Sequence, residues 1–213
     1  MIDMEIIPAI LAKDEGEFVA KAGRLAPLGL TVQIDVIDGK FVPNITWAPP
    51  EAMKGIFQNN PYEAHLMVAD PEHQVPIWVA AGAARVYYHA EATQVDMLIY
   101  KSMGNKGNRL GVAINPDTPV SRVAPLLTHI KNVLVMGVNP GWSGQPFQEI
   151  ALDKVRALRA TEPDLHITVD GGVTPEIAVK LAAAGADAVV MGKSLTDQAD
   201  PFLALAKIRE IVK

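Results

Sequence analysis

The chain has 213 residues, 49% of them hydrophobic, carries a formal net charge of −5 and contains no cysteine. That length and hydrophobic share suit one large soluble domain with a full core, and the absence of cysteine excludes disulfides, thiolate zinc sites and cysteine nucleophiles. Mild acidity without any basic run argues against nucleic acid or an anionic membrane as a partner.

The first residues, Met1-Ile2-Asp3-Met4-Glu5, place two acids where a signal peptide would be basic. No apolar stretch approaches the roughly 20 residues that span a bilayer, so a cytoplasmic protein is expected. From there, short apolar runs alternate with longer segments of helical spacing. The runs predict strands over 6–11, 31–35, 63–67, 85–89, 110–115, 132–136, 166–169 and 188–191. Most are nearly continuous in apolar residues, as in strands buried on both faces. Between them, 15–28 puts Phe18, Ala22 and Leu25 on one side of a helix, and 152–160 puts Leu152, Val155, Leu158 and Arg159 at helical spacing. Residues 176–184 and 202–212 carry the cleanest helical patterns. Ala-Gly-Ala at 81–83 and 184–186 closes two helices with glycine at its favoured C-terminal position. Eight strands alternating with eight helices predict an α/β fold, a single-domain (β/α)8 TIM barrel over 1–213 with short loops. An open doubly wound sheet is the alternative, but the first strand runs into Ala12-Lys13-Asp14 without the glycine-rich turn such a sheet requires.

Chemistry in such a barrel sits at the C-terminal ends of the strands. Those positions hold Asp35, His65, His89 with Glu91, Asn115, Asn139 and Asp170, whereas the strand interiors are almost purely apolar. Each has an ordinary structural explanation: Asp35 and Asp38 as turn caps, His65 as a satisfied core histidine, Glu91 as a local partner of His89, and Met67 and Met136 as gap-fillers. Convergence of the whole set is what points to a site. Buried carboxylates are costly unless paired, solvated or metal-bound, and two of them facing one cavity suit acid–base chemistry. Glycines form a second group: Asn139-Pro140-Gly141-Trp142-Ser143-Gly144-Gln145, Gly171-Gly172 and Gly192-Lys193-Ser194 follow the last three strands, where such barrels often hold a phosphate on backbone N–H groups. Gly192-Lys193-Ser194 lacks the upstream glycine of a nucleotide-hydrolysing loop, which rejects that reading.

These residues, in order, resemble the ribulose-phosphate 3-epimerase family through essentially the whole chain: Asp35-Val36-Ile37-Asp38-Gly39 with Phe41-Val42-Pro43-Asn44, then His65-Leu66-Met67, His89-Ala90-Glu91, Asn115-Pro116, Val138-Asn139-Pro140-Gly141, Gly144-Gln145 and Val169-Asp170-Gly171-Gly172. The resemblance implies interconversion of D-ribulose 5-phosphate and D-xylulose 5-phosphate in the pentose phosphate pathway. Asp35 and Asp170 would act as two bases on opposite faces of C3, through an enediolate stabilised by a divalent metal (zinc, iron or manganese). It further implies metal ligation by Asp35, His65 and Asp170. Met67 and Met136 would line the site beside His65, and Gly141, Trp142, Ser143, Gly144, Gly171, Gly172, Gly192 and Lys193 would form the phosphate cradle. The partner would be a small ketose phosphate, and the assembly a homo-oligomer.

Two departures from the family pattern stand out. Gln33, in Gln33-Ile34-Asp35, occupies the place of a histidine ligand; an amide oxygen can coordinate a hard cation but is a poorer ligand for zinc or iron. Ala9, in Pro8-Ala9-Ile10-Leu11, replaces a serine that helps hold substrate. Ile37 replaces a methionine, Gly137 a threonine and Lys193 a serine; Lys193 adds a charge-assisted phosphate contact. Two alternatives follow: a 3-epimerase of another ketose phosphate, such as a hexulose 6-phosphate, or a phosphosugar-binding protein with an eroded metal site. Retention of both aspartates argues against the second. A barrel decarboxylase would need a lysine within Asp-x-Lys-x-x-Asp, and Ile37 stands there instead.

Overall fold

The computed structural model describes residues 4–58 and 60–212. Eight parallel strands close into a barrel in sequence order: β1 (Glu5–Ile10), β2 (Val32–Ile37), β3 (Tyr62–Met67), β4 (Arg85–His89), β5 (Leu110–Ile114), β6 (Asn132–Met136), β7 (His166–Asp170) and β8 (Ala188–Met191), which pairs back onto β1. Seven α-helices among the described residues surround it: α1 (Glu15–Leu25), α2 (Pro50–Ile56), α3 (Pro71–Ala81), α4 (Asp96–Ser102), α5 (Ile150–Thr161), α6 (Pro175–Ala184) and α7 (Pro201–Val212).

Local chemistry sets most of the boundaries. The Asp14 carboxylate accepts from the Glu17 N–H at 2.9 Å and caps α1, and Thr174 does the same for α6 through the N–H of Ile177. Both Ala-Gly-Ala units do end helices, with Gly82 at φ 107° and Gly185 at φ 104°. The expected helix over 15–28 is shorter: it stops at Leu25 and tightens into a 3-10 turn, Ala26–Leu28, where Pro27 removes a donor. Strand β2 runs two residues past Asp35, because Val36 and Ile37 keep pairing with Leu66 and Met67. Eight helices were expected, and the β5–β6 connection departs from that. It holds two single 3-10 turns, Val120–Arg122 and Ala124–Leu126, in a segment punctuated by Pro116, Pro119 and Pro125. Lys154 of α5 braces that connection by donating to the backbone carbonyls of Asn115 and Thr118, each at 2.5 Å.

The strands carry two cores. Outward side chains meet the helices in the larger one, where Trp78, Phe18, Leu25, Tyr88 and Leu66 are fully enclosed; Phe18, Leu25 and Leu66 each contribute roughly 1.5–3 kcal/mol of burial. Inward side chains fill the barrel in three levels. At the N-terminal end, Arg85 donates to Glu63 (2.7 Å) and Glu5 (3.0 Å), with His166 Nε2 2.8 Å from Arg85 Nη1. Ile7, Tyr87, Leu134 and Ala188 form an apolar plug above it. Gly111 makes room for that plug, since a Cβ there would lie 2.3 Å from Cδ1 of Tyr87. The third level, at the C-terminal end, is polar and opens to solvent.

Candidate active site

A period of two along β2 sends Gln33, Asp35 and Ile37 inward together. Register then fixes their neighbours. Asp35 of β2 pairs with His65 of β3, and Asp170 at the end of β7 pairs with Met136 of β6. Strands β8 and β1 lie between β7 and β2, so the two aspartates approach from well-separated staves of the barrel. Their carboxylates nevertheless share partners. Gln33 Nε2 donates to Asp35 Oδ1 at 2.8 Å and to Asp170 Oδ2 at 2.7 Å. Nδ1 of His65 lies 3.4 and 3.2 Å from the same two oxygens.

The ring of four atoms is tightly enclosed; Gln33 and His65 have no solvent exposure. Burial pushes the Asp35 carboxyl up, and the Asp170 charge adds to this against the opposing effect of His65. Burial also opposes charge on His65, yet the Asp170 and Asp35 carboxylates beside its Nδ1 raise its pKa to about 9.

Asp35, His65 and Asp170 form a candidate metal centre, with ligand atoms within 4.8 Å of one another. Two observations test the fit. First, Nδ1 of His65 is a buried polar atom without a hydrogen-bond partner. Second, the separations of 3.2 and 3.4 Å between His65 and the carboxylates match the edges of about 3.3–3.4 Å expected of a tetrahedron with bonds of about 2.0–2.1 Å. The three residues fit a divalent ion. The Gln33 side chain reaches the site, but it presents its NH2, a donor, and must turn its amide over to offer an oxygen.

Around this centre opens a cavity of about 890 Å³, walled by Met67, Met136, Val138 and Ala9 and reaching to Lys13 and Lys193. Gly171 and Gly172 have φ of 104° and 68°, so only glycine turns the chain there without strain. A Cβ on Gly172 would also sit 2.7 Å from the Phe147 backbone nitrogen. The Gly141–Gly144 loop faces this turn. Gln145 holds it by donating to the carbonyls of Asn139 and Trp142 at 2.7 and 2.9 Å, leaving Trp142 and Ser143 exposed at the rim. Lys193 sits on a single π turn, Gly192–Thr196, and its Nζ lies 3.9 Å from where a Cβ of Gly144 would stand. Every expected cradle residue from Gly141 to Lys193 thus lines one cavity.

Residues 5–196 match the model of the ribulose-phosphate 3 epimerase family. The chain belongs to this family. It is 36% identical over 215 residues to the cytoplasmic isoform of ribulose-phosphate 3-epimerase from rice, Oryza sativa subsp. japonica, covering 98% of this chain and 94% of that one. It is 36% identical over 227 residues to the ribulose-phosphate 3-epimerase of Eremothecium gossypii, covering 100% and 95%, and 34% identical over 209 residues to that of Mycobacterium leprae, covering 96% and 93%. Among solved structures, 3-hexulose-6-phosphate synthase from Salmonella typhimurium superposes with a TM-score of 0.74 at 16% identity over 98% of both chains, a likeness of fold alone. Membership makes the chain a carbohydrate epimerase, an isomerase, and none of its described helices is long and apolar enough to cross a membrane.

The structure of this family member gives the departures physical form. Ala9 lines the cavity with a methyl group. Position 137 has no room for a side chain, because a Cβ would meet the Gly171 carbonyl at 2.4 Å and the Phe147 ring at 2.7 Å. Asp38 is a turn residue: its carboxylate accepts from the backbone N–H groups of Lys40, Phe41 and Ala69. Sequence reasoning missed Thr46, whose hydroxyl donates to the Asp35 carbonyl at 2.8 Å and accepts from the Ile37 N–H at 2.9 Å, locking the strand end that carries the acid. No spacing rule signals that contact.

Glu91 is also more than a local partner. It accepts from Asn115 N at 2.8 Å, from the Thr118 hydroxyl and from His89 at 3.2 Å. Burial works against its charge, but these donors hold its pKa down at about 2, below the ordinary 4.5. A carboxyl depressed in this way stabilises the fold above about pH 4.5 and loses the contribution as pH falls toward about 2. Glu91→Gln is therefore expected to lower stability by about 2 kcal/mol near neutrality, allowing for solvent screening of a partly exposed group. The deficit should vanish in acid. Urea unfolding across the acid range reads this, and a deficit that does not change with pH contradicts it.

Proposed function

We propose that the chain interconverts D-ribulose 5-phosphate and D-xylulose 5-phosphate by two-base proton transfer at C3. One observation carries the reading: carboxylates from β2 and β7 converge on the same two partner atoms at the mouth of the barrel, Gln33 Nε2 and His65 Nδ1. Epimerisation next to a ketone removes the C3 proton from one face and returns a proton on the other. It therefore requires one base and one acid that exchange roles with direction. Asp35 and Asp170 supply the pair, and burial drives Asp35 toward its protonated, acidic form. Held by Asp35, His65 and Asp170, a divalent ion would supply the positive charge that polarises the C2 ketone.

The remaining residues bind and enclose. Lys193 and the backbone N–H groups of Gly144, Gly172 and Gly192 take the phosphate. Met67 and Met136 wall the reacting carbon with apolar surface and keep bulk water from it. The relatives' names support both the substrate and, through the rice isoform, a cytoplasmic location.

A hexulose 6-phosphate is the second reading, favoured by the methyl of Ala9 on the substrate side of the cavity. The test is an assay of both sugar phosphates with metal-loaded protein in D2O. Turnover of the pentulose phosphate with deuterium incorporated at C3 is the expected result. Binding without exchange of either sugar's C3 proton overturns the enzymatic reading, and exchange confined to the hexulose phosphate selects the second.

A further inference from the structure

Behind the metal-binding nitrogen of His65 lies a buried chain of hydrogen bonds that the chemistry above does not use. His65 Nε2 stands 2.8 Å from His89 Nε2, and His89 Nδ1 stands 3.2 Å from Glu91 Oε2. Both imidazoles are fully buried, with ring centroids 5.0 Å apart and planes 26° from parallel, so the two nitrogens meet edge to edge. Two nitrogens 2.8 Å apart admit one hydrogen between them, so the chain has a direction. Its direction is set at the Glu91 end. That carboxylate already accepts from the Asn115 N–H and the Thr118 hydroxyl through its other oxygen, and an ionised carboxylate has nothing to donate. His89 must therefore donate from Nδ1. A neutral ring carries one N–H, so His89 Nε2 is a bare acceptor. His65 must then donate from Nε2, so Nδ1, which faces Asp35 and Asp170, is the nitrogen left to give up its hydrogen and offer a lone pair to a cation.

We propose that His89 and Glu91 are positioning residues that fix the tautomer of His65, so that Nδ1 is the nitrogen offered to the cation. The reverse tautomer would turn an N–H toward the ion's place and abolish ligation. The proposal rests on the metal-binding reading of Asp35, His65 and Asp170, and it extends the metal-supporting framework to two residues that touch neither ion nor substrate. Such bracing of a ligating histidine by the group on its other nitrogen governs affinity in metal sites generally, with losses of about 10–100-fold when it is removed.

Ring nitrogen and carbon NMR shifts of the intact protein test the direction without any substitution. Neutral His89 should be in its Nδ1–H tautomer in both the metal-free and the zinc-loaded protein, since it accepts from His65 Nε2 in either state. Finding the Nε2–H tautomer overturns the proposal. Zinc affinity by chelator competition tests the consequence. His89→Leu removes the acceptor and is expected to weaken zinc binding about 10–100-fold. His89→Gln can still accept through its amide oxygen and should stay within a few-fold of wild type. Equal losses in the two variants, or none in His89→Leu, overturn the proposal. Should wild-type protein bind no zinc, the metal reading fails on its own, and the His89 tautomer in metal-free protein still decides the direction of the chain.

Discussion

Asp35→Asn and Asp170→Asn are each expected to lower kcat/KM for epimerisation by about 10³-fold or more, within the range that a general acid–base group supplies. Asparagine keeps the size and an oxygen but can neither take up nor release the C3 proton. The loss should be unequal between partial reactions. With one carboxylate left, a proton can still be removed from and returned to a single face. Each variant should therefore exchange C3 hydrogen with D2O in one epimer while forming almost none of the other. The epimer that exchanges should switch between the two variants, because the acids reach the carbon from β2 and β7 respectively. Retained epimerisation in either variant contradicts the two-base assignment. Loss of exchange in both epimers would place that aspartate in metal or substrate binding alone.

Gln33→His is expected to tighten zinc binding by about 100-fold, the upper end of what residues that merely brace a ligand contribute, because this change replaces the donor itself. In the wild-type chain the amide nitrogen bridges Asp35 and Asp170. To ligate, the amide must give up both hydrogen bonds and present an oxygen, a weaker match to zinc than imidazole. Histidine at 33 offers a nitrogen lone pair without that exchange. Elemental analysis of protein purified without chelator, with chelator competition for affinity, reads the difference. Unchanged metal content and affinity would show that the side chain at 33 does not coordinate.

The barrel was legible because its signal is local. Apolar runs of five or six residues, broken by helical spacing and closed by Ala-Gly-Ala, follow from strand and helix periods that hold in any surroundings. The missing helix between β5 and β6 was signalled by Pro116 and Pro119 but obscured by apolar residues such as Val123, Leu126 and Leu127, which are buried from two 3-10 turns. Asp35, His65 and Asp170 stood out as polar groups in the C-terminal halves of apolar strands, and the glycines after the last three strands marked the loops that surround the cavity.

Sequence by itself determined that this chain closes an eight-stranded barrel, belongs among carbohydrate epimerases and carries two acids at the barrel mouth, since strand period and motif order are properties of the chain. Only the tertiary structure decided how those groups work together. The donor face of Gln33, the clamp of Thr46 on Asp35 and the line from Glu91 through His89 to His65 join residues from different strands and loops. Hydrogen-bond direction depends on distances of about 3 Å, and only the closed barrel brings those atoms within that reach.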